Sequence, residues 1–153
     1  MLGEHAAAIV AGAPAPRVLT PHPGEMARLA GRSSADVQAD RLGTARGFAG
    51  VSGAVVVLKG ARTVIAAPDG TTYVNPAAEP ALATAGTGDV LTGVIGALLS
   101  QGMAPLESAC AGVFLHGLAG AAAARSSGAS GVIAGDLPEA VASVRAAWEA
   151  GES

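Results

Sequence analysis

Apolar positions along the chain fall into two patterns, short blocks apolar at successive positions and longer stretches in which they recur at helical spacing. Arg17-Val18-Leu19-Thr20, halted by Pro21 and Pro23, predicts a buried strand entering a loop, and Gly24 to Leu29 starts a brief helix. Ser34 or Asp36 caps the next helix, where Val37, Leu42, Ala45, Phe48 and Ala49 recur up to Gly50. Its polar face carries Asp36, Gln38, Asp40, Arg41 and Arg46. Ala54 to Leu58 is apolar at every position, the pattern of a strand covered on both faces, and it ends at Lys59-Gly60. Thr63 to Ala67 and Thr71 to Val74 flank Pro68-Asp69-Gly70, a hairpin signal because Asp-Gly tolerates the positive φ of tight turns.

Three further helices follow. Val90 to Ser100 closes at Gly102, and Gly93 and Gly96 predict a close contact on one of its faces. Pro105 opens a second that runs to about Arg125. Asp136-Leu137-Pro138-Glu139 reads as an N-cap for a last helix to about Ala150. The order β-α-α-β-β-β-α-α-α predicts an α/β layer fold with a mainly parallel sheet. Two parallel strands and a ribbon bury too little for an ordinary sheet of ~4 to 6 strands, so further strands are expected upstream.

Composition narrows the class. The chain has 153 residues, half of them hydrophobic and 14% charged, enough for one globular domain with a substantial core. Phe48, Tyr73, Phe114 and Trp148 are the only aromatics, so that core rests on Ala, Val, Leu and Ile among many glycines. A net charge of −3 without a basic stripe argues against nucleic acid. Cys110 stands alone, which excludes an intrachain disulfide and reads as a small buried thiol. The apolar run Ala109 to Ala124 is broken by His116 and glycines and is shorter than the ~20 residues of a membrane span, so a buried helix is expected and no membrane. No secretory signal is visible, and a cytoplasmic location follows by default.

The candidate chemistry centres on Ala83-Thr84-Ala85-Gly86-Thr87-Gly88-Asp89-Val90-Leu91-Thr92-Gly93. Gly86 and Gly88 permit a tight turn and close backbone approach, and the free N–H groups of the following helix favour an anion such as phosphate. Asp89 would repel phosphate unless a metal or a reacting hydroxyl stands between them, which points to chemistry as well as binding. In open α/β sheets ligands bind beyond the carboxyl ends of strands, where Pro21 to Glu25 and Lys59-Gly60 both lie. Three scattered histidines and one cysteine give no support for a structural zinc site.

Thr20-Pro21-His22-Pro23-Gly24-Glu25, Leu58-Lys59-Gly60-Ala61-Arg62-Thr63 and Ala85 to Gly93 together resemble the ADP-dependent NAD(P)H-hydrate dehydratases of the ribokinase-like superfamily. Val74-Asn75-Pro76 and His116-Gly117-Leu118-Ala119-Gly120 are similar to the family as well. The resemblance implies a three-layer ribokinase-like α/β fold, here without the N-terminal part of its sheet. Residues 1–153 then form the C-terminal, nucleotide-binding part of a single domain. It implies removal of water from the (S)-hydrate of NADH or NADPH, driven by ADP or ATP, with Mg2+ arriving on the nucleotide phosphates. By carry-over His22 lines the hydrated nicotinamide site, and Lys59, Gly60, Ala61, Arg62 and Thr63 contact the AMP part of ADP. Gly86, Thr87 and Gly88 hold the adenine nucleotide, and Asp89 faces the substrate as the base. A homo-oligomer is implied for the intact family, with an N-terminal or epimerase partner open.

Two positions depart from the family pattern. Ala77-Ala78-Glu79-Pro80 replaces a glycine-containing turn, a local change, and Ala121 stands where an acidic residue often follows, so a capping or metal-proximal charge is expected to be lost. Plainer readings stand beside the functional ones. His22 could be a loop histidine satisfied by backbone, Lys59 a solvated strand-end charge, and Glu25 a helix-start carboxylate, which leaves Glu25 outside the core site. His116 reads as a satisfied packing histidine, facing the core or a subunit contact. Two alternative functions remain: a ribokinase-like small-molecule kinase using the same loop, and an inactive nucleotide-binding fragment whose unpaired parallel edge invites another chain.

Overall fold

The continuous apolar run Val55–Leu58 becomes strand β2, buried along its whole length, in a computed structural model that describes residues 2–151. On one side β2 pairs in parallel with the short β1 (Val18–Leu19), and on the other it pairs antiparallel with β3 (Val64–Ala66). β3 in turn pairs antiparallel with β4 (Thr72–Val74), giving the order β1-β2-β3-β4. The ribbon expected around Asp69-Gly70 is present. Gly70 takes φ +90°, and the Asp69 carboxylate accepts the Thr71 N–H at 2.9 Å.

Alternation along the strands sends side chains into two separate cores. Val56, Leu58, Val64 and Ala66 pack with Met26, Val37, Ala45 and Phe48. Val55, Val57 and Ile65 pack on the opposite face with Leu91, Ile95, Ala109 and Val113. The first layer consists of α1 (Leu2–Ala11), α2 (Pro23–Ala30), α3 (Ser34–Ala39) and α4 (Arg41–Ser52). The second consists of α5 (Thr87–Ser100) and α6 (Pro105–Ser127), against which α7 (Leu137–Glu149) packs. This is the three-layer α/β/α arrangement expected from the sequence. Its sheet is mixed rather than mainly parallel, with one parallel pair.

Several local expectations are corrected. The helix predicted from Ser34 or Asp36 to Gly50 is two helices, because Asp40 adopts φ −138°, ψ 74° and its carboxylate accepts the Gly43 N–H at 2.8 Å. The true cap of α3 is Ser33, whose hydroxyl accepts from Asp36 N–H while Asp36 accepts from Ser33 N–H. Helix α1 has no counterpart among the elements that the sequence predicts, since its alanine run carries no distinct period. Asp136 precedes α7 without capping it and instead accepts the Ile133 N–H at 2.9 Å across a 3₁₀ turn. Helix α6 has 23 residues, so by length and composition it could cross a membrane, contrary to the shorter span read from Ala109 to Ala124. Half of its most apolar stretch is buried here against α5, α7 and the sheet.

The close helix contact also moves. A Cβ on Gly93 or Gly96 would meet nothing within 4 Å, whereas one on Gly112 of α6 would stand 2.5 Å from Ile95 Cγ1 of α5. Glycine at 112 therefore lets α6 approach α5 closely enough to complete the second core. Gly112→Val should lower stability by about 1–3 kcal/mol through overpacking, while Gly96→Ala should raise it by about 0.5–1 kcal/mol through helix propensity. Urea midpoints of the two variants, compared with the parent chain, give the check.

Candidate functional site

Parallel pairing puts the carboxyl ends of β1 and β2 at the same edge of the sheet. The Lys59 N–H donates to the Pro21 carbonyl at 2.8 Å, which ties the two loops leaving those ends. They open into a cleft of about 850 Å³, the size of a small-molecule site, closed on its far side by the start of α5 and by α6. His22, Lys59, Gly60, Ala61, Thr63, Gly86, Thr87, Gly88 and Asp89 all line it. Arg62 does not. It is exposed, in the left-handed region at φ 59°.

His22 serves the fold and faces the cleft at once. As N-cap of α2 its Nδ1 accepts the Gly24 and Glu25 N–H groups at 3.0 and 3.2 Å, while Glu25 Oε2 accepts the His22 N–H at 2.7 Å. An accepting Nδ1 leaves the proton of the neutral ring on Nε2, 3.6 Å from Glu25 Oε1. Glu25 belongs to the site after all, because it lines the cleft and its Oε2 lies 3.7 Å from Lys59 Nζ. Burial pushes its carboxyl pKa up, but the backbone N–H of His22 and the neighbouring Lys59 ammonium outweigh that and hold it below the usual value.

Lys59 reaches from the end of β2 to the first turn of α5. A Cβ built on Gly88 would stand 2.8 Å from Lys59 Nζ, so glycine leaves room for the ammonium over the helix end. The Gly88 N–H makes no backbone hydrogen bond to the described residues. An ammonium, an open amide and the positive end of a 14-residue helix thus converge on one spot, a receptor for anionic oxygen. The loop before α5 is fastened from three sides. The Thr87 hydroxyl is 2.7 Å from the Leu82 carbonyl and 2.8 Å from that of Thr84, and Thr84 donates to the Val132 carbonyl at 3.3 Å. Gly86 takes φ +88°, and a Cβ there would press to 3.0 Å from the Ala134 methyl. Asp89 is exposed at the cleft wall, its carboxylate without a hydrogen bond to the described residues.

His116 is buried and lines the cleft, where sequence alone left it between core and subunit contact. Its Nε2 lies 2.8 Å from the Thr87 carbonyl, which can only accept, so Nε2 carries the proton and fastens α6 to the α5 start. Asn75 and Glu79 also line the cleft, and Glu79 accepts the Ala81 N–H at 3.2 Å, so the departure at 77–80 borders the site. Ala121 does not line it. Arg41, assigned to a solvated helix face, instead donates to the Leu58 and Lys59 carbonyls at 3.0 and 3.3 Å. Nothing local marks it, because its partners lie 17 and 18 residues away. Cys110 is partly buried, and desolvation raises its thiol pKa. No three His, Cys, Asp or Glu side chains gather among the described residues in a way that could hold a metal ion.

A family model described as NAD(P)H-hydrate dehydratase matches residues 2–142. The chain belongs to that family. It is 54% identical over 129 residues to the bifunctional NAD(P)H-hydrate repair enzyme Nnr of Moorella thermoacetica, covering 84% of this chain and 24% of that protein. It is 51% identical over 124 residues to the ADP-dependent (S)-NAD(P)H-hydrate dehydratase of Neisseria meningitidis, covering 80% of this chain and 42% of that one. Among solved structures, the ADP/ATP-dependent NAD(P)H-hydrate dehydratase of Bacillus subtilis, co-crystallised with ATP and Mg2+, superposes with a TM-score of 0.80. That match has 38% identity and covers 84% of this chain and 47% of that one. A ribokinase-like superfamily protein of Enterococcus faecalis follows at TM-score 0.69 and 31% identity, over 82% of this chain and 43% of that one. The fold is thus ribokinase-like, and the chain spans about a quarter to a half of the length of these relatives.

Burial lowers the pKa of His116 against the Thr87 carbonyl, which raises it, and the Lys59 charge adds to the lowering. A histidine kept neutral in the fold stabilises fully above its unfolded value of 6.5, and the contribution is lost as pH falls below that toward the lower folded value. As pH falls below 6.5 the unfolding free energy should therefore fall from this group, by at most about 1.4 kcal/mol per pH unit. His116→Gln should remove that part of the slope, measured by denaturant titrations across the range.

Proposed function

We propose that this chain supplies the nucleotide-binding part of an ADP- or ATP-dependent (S)-NAD(P)H-hydrate dehydratase that returns damaged NADH or NADPH to the usable dinucleotide. The observation that carries this reading is the convergence of Lys59 Nζ and the open Gly88 amide at the start of α5. The names borne by the relatives support it, and residues 1–153 are read as the C-terminal part of one domain. Lys59, Gly60, Ala61 and Thr63 bind the AMP portion, with Arg62 at the outer end of the same turn, while Gly86, Thr87 and Gly88 cradle the phosphates. His22 offers its Nε2–H to the hydrated nicotinamide nucleotide.

Asp89 takes the proton of the hydrate hydroxyl, and the freed oxygen attacks the terminal phosphorus of the nucleotide, breaking its bond to the bridging oxygen. The new phosphate ester is a better leaving group than hydroxide. The lone pair of the ring nitrogen expels inorganic phosphate, and loss of a proton from the adjacent carbon restores the ring double bond. Lys59 and the α5 amides stabilise the charge that gathers on phosphoryl oxygen during transfer. Magnesium would fit as a phosphate-borne ion with few protein ligands, Asp89 and Glu25 being the carboxylates nearest that end of the cleft, and when bound it would supply charge neutralisation. A cytoplasmic location accompanies this reading, as does assembly with further copies or with an epimerase partner.

Asp89→Asn should cut turnover of the hydrate to reduced dinucleotide by about 10²–10⁴-fold, the range for loss of a general base. ADP should still raise the thermal midpoint of that variant, as any ligand of the folded state does. Undiminished turnover would remove Asp89 from the role of base. An unmoved midpoint for the parent chain at high ADP would remove the nucleotide site itself.

A further inference from the structure

The turn from Lys59 to Thr63 does not hold its shape by local preference. Gly60 sits at φ +144° and Arg62 at φ +59°, so two of its five residues occupy the left-handed half of backbone space. Within the turn, the Thr63 hydroxyl donates to the Gly60 carbonyl at 3.1 Å. From outside it, Arg41 at the start of α4 spans the carbonyls of Leu58 and Lys59 with one guanidinium nitrogen, and its other terminal nitrogen donates to Gln38 Oε1 at 3.1 Å. Gly60 and Arg41 are matched in shape, since a Cβ on Gly60 would lie 3.0 Å from Arg41 Nη1. Arg41 is absent from the cleft wall, so it reaches the site through the backbone it holds.

We infer that Arg41 is a positioning residue for the nucleotide, holding the strand-end carbonyls so that the Lys59 ammonium stands over the α5 amide. The inference rests on the nucleotide-site reading proposed above. A guanidinium suits this task because one terminal nitrogen reaches both strand-end carbonyls while the other is held by Gln38 Oε1, a two-ended anchorage that the single nitrogen of a lysine ammonium does not reproduce. The residue therefore sets nucleotide affinity from the first core layer, on the side of the sheet away from the α5 helix.

Isothermal titration of ADP into the full chain tests this with Arg41→Ala, Arg41→Lys, Lys59→Ala and the double variant Arg41→Lys/Lys59→Ala. Either change at Arg41 should weaken ADP binding by about tenfold, a coupling within the range seen for contacting residues. Millimolar guanidinium should restore part of the affinity to Arg41→Ala and none to Lys59→Ala. With Lys59 already removed, Arg41→Lys should cost little further affinity. Arg41→Lys keeps charge and stem, so it carries the test if Arg41→Ala does not fold. ADP affinity equal to the parent's in Arg41→Lys, or a loss that is undiminished in the Lys59→Ala background, overturns the inference. Failure of the parent chain to bind ADP overturns the nucleotide-site reading instead.

Discussion

Parallel pairing of β1 with β2 is the constraint on which the site depends. It aligns two strand ends that lie some forty residues apart in the chain, and the bond from Lys59 N–H to the Pro21 carbonyl locks the loops that leave them. Because β2 is buried along its length with side chains in both cores, a register slip of one residue would exchange its two faces. Register, and with it the position of Lys59, is thereby set by packing on both sides of the sheet. The site inherits its precision from the core.

Electrostatics then decides what such a site can hold. Lys59 stands over a helix end that is itself positive, and the carboxylate beside it, Glu25, sits 3.7 Å away and is partly exposed. Two positive features facing each other repel. An anion placed between them removes the repulsion and gains contact with both, so the geometry favours anionic over neutral ligands. The fastening of Thr87 to Leu82, Thr84 and His116 keeps the cradle from reorganising to escape that repulsion.

Much of this was legible in the chain itself. The all-apolar run at 54–58, the Asp69-Gly70 hairpin and the proline-started helices follow from local chemistry, and the glycines of the Gly86 to Asp89 loop mark a backbone cradle at a helix start. What escaped were features that depend on separation in the chain. Arg41 looks like any charge on a solvated helix face, since its carbonyl partners come from a strand that folds beside it later in sequence. Glu25 reads as a helix-start carboxylate, which it is, and its approach to Lys59 exists only once β1 and β2 pair. Gly93 and Gly96 carry the spacing of a contact stripe, yet the contact is made by Gly112, because which helix face meets the neighbour is settled by the sheet beneath it. The split at Asp40 escaped for a different reason. The apolar period runs through it unbroken, while the residue's own side chain satisfies the next helix start.

The imidazole of His22 divides its two nitrogens between architecture and the open cleft. Nδ1 closes the first turn of α2, and the opposite edge of the ring faces the cleft. For anyone redesigning the specificity of this site, the position therefore has two specifications to meet, and most replacements meet neither. Asparagine is among the best helix-capping residues and could keep α2 in place while presenting a shorter, non-aromatic surface to the ligand. An alanine would remove the cleft-facing edge and the helix anchor together, so a loss of binding measured with it would say little about which of the two had mattered.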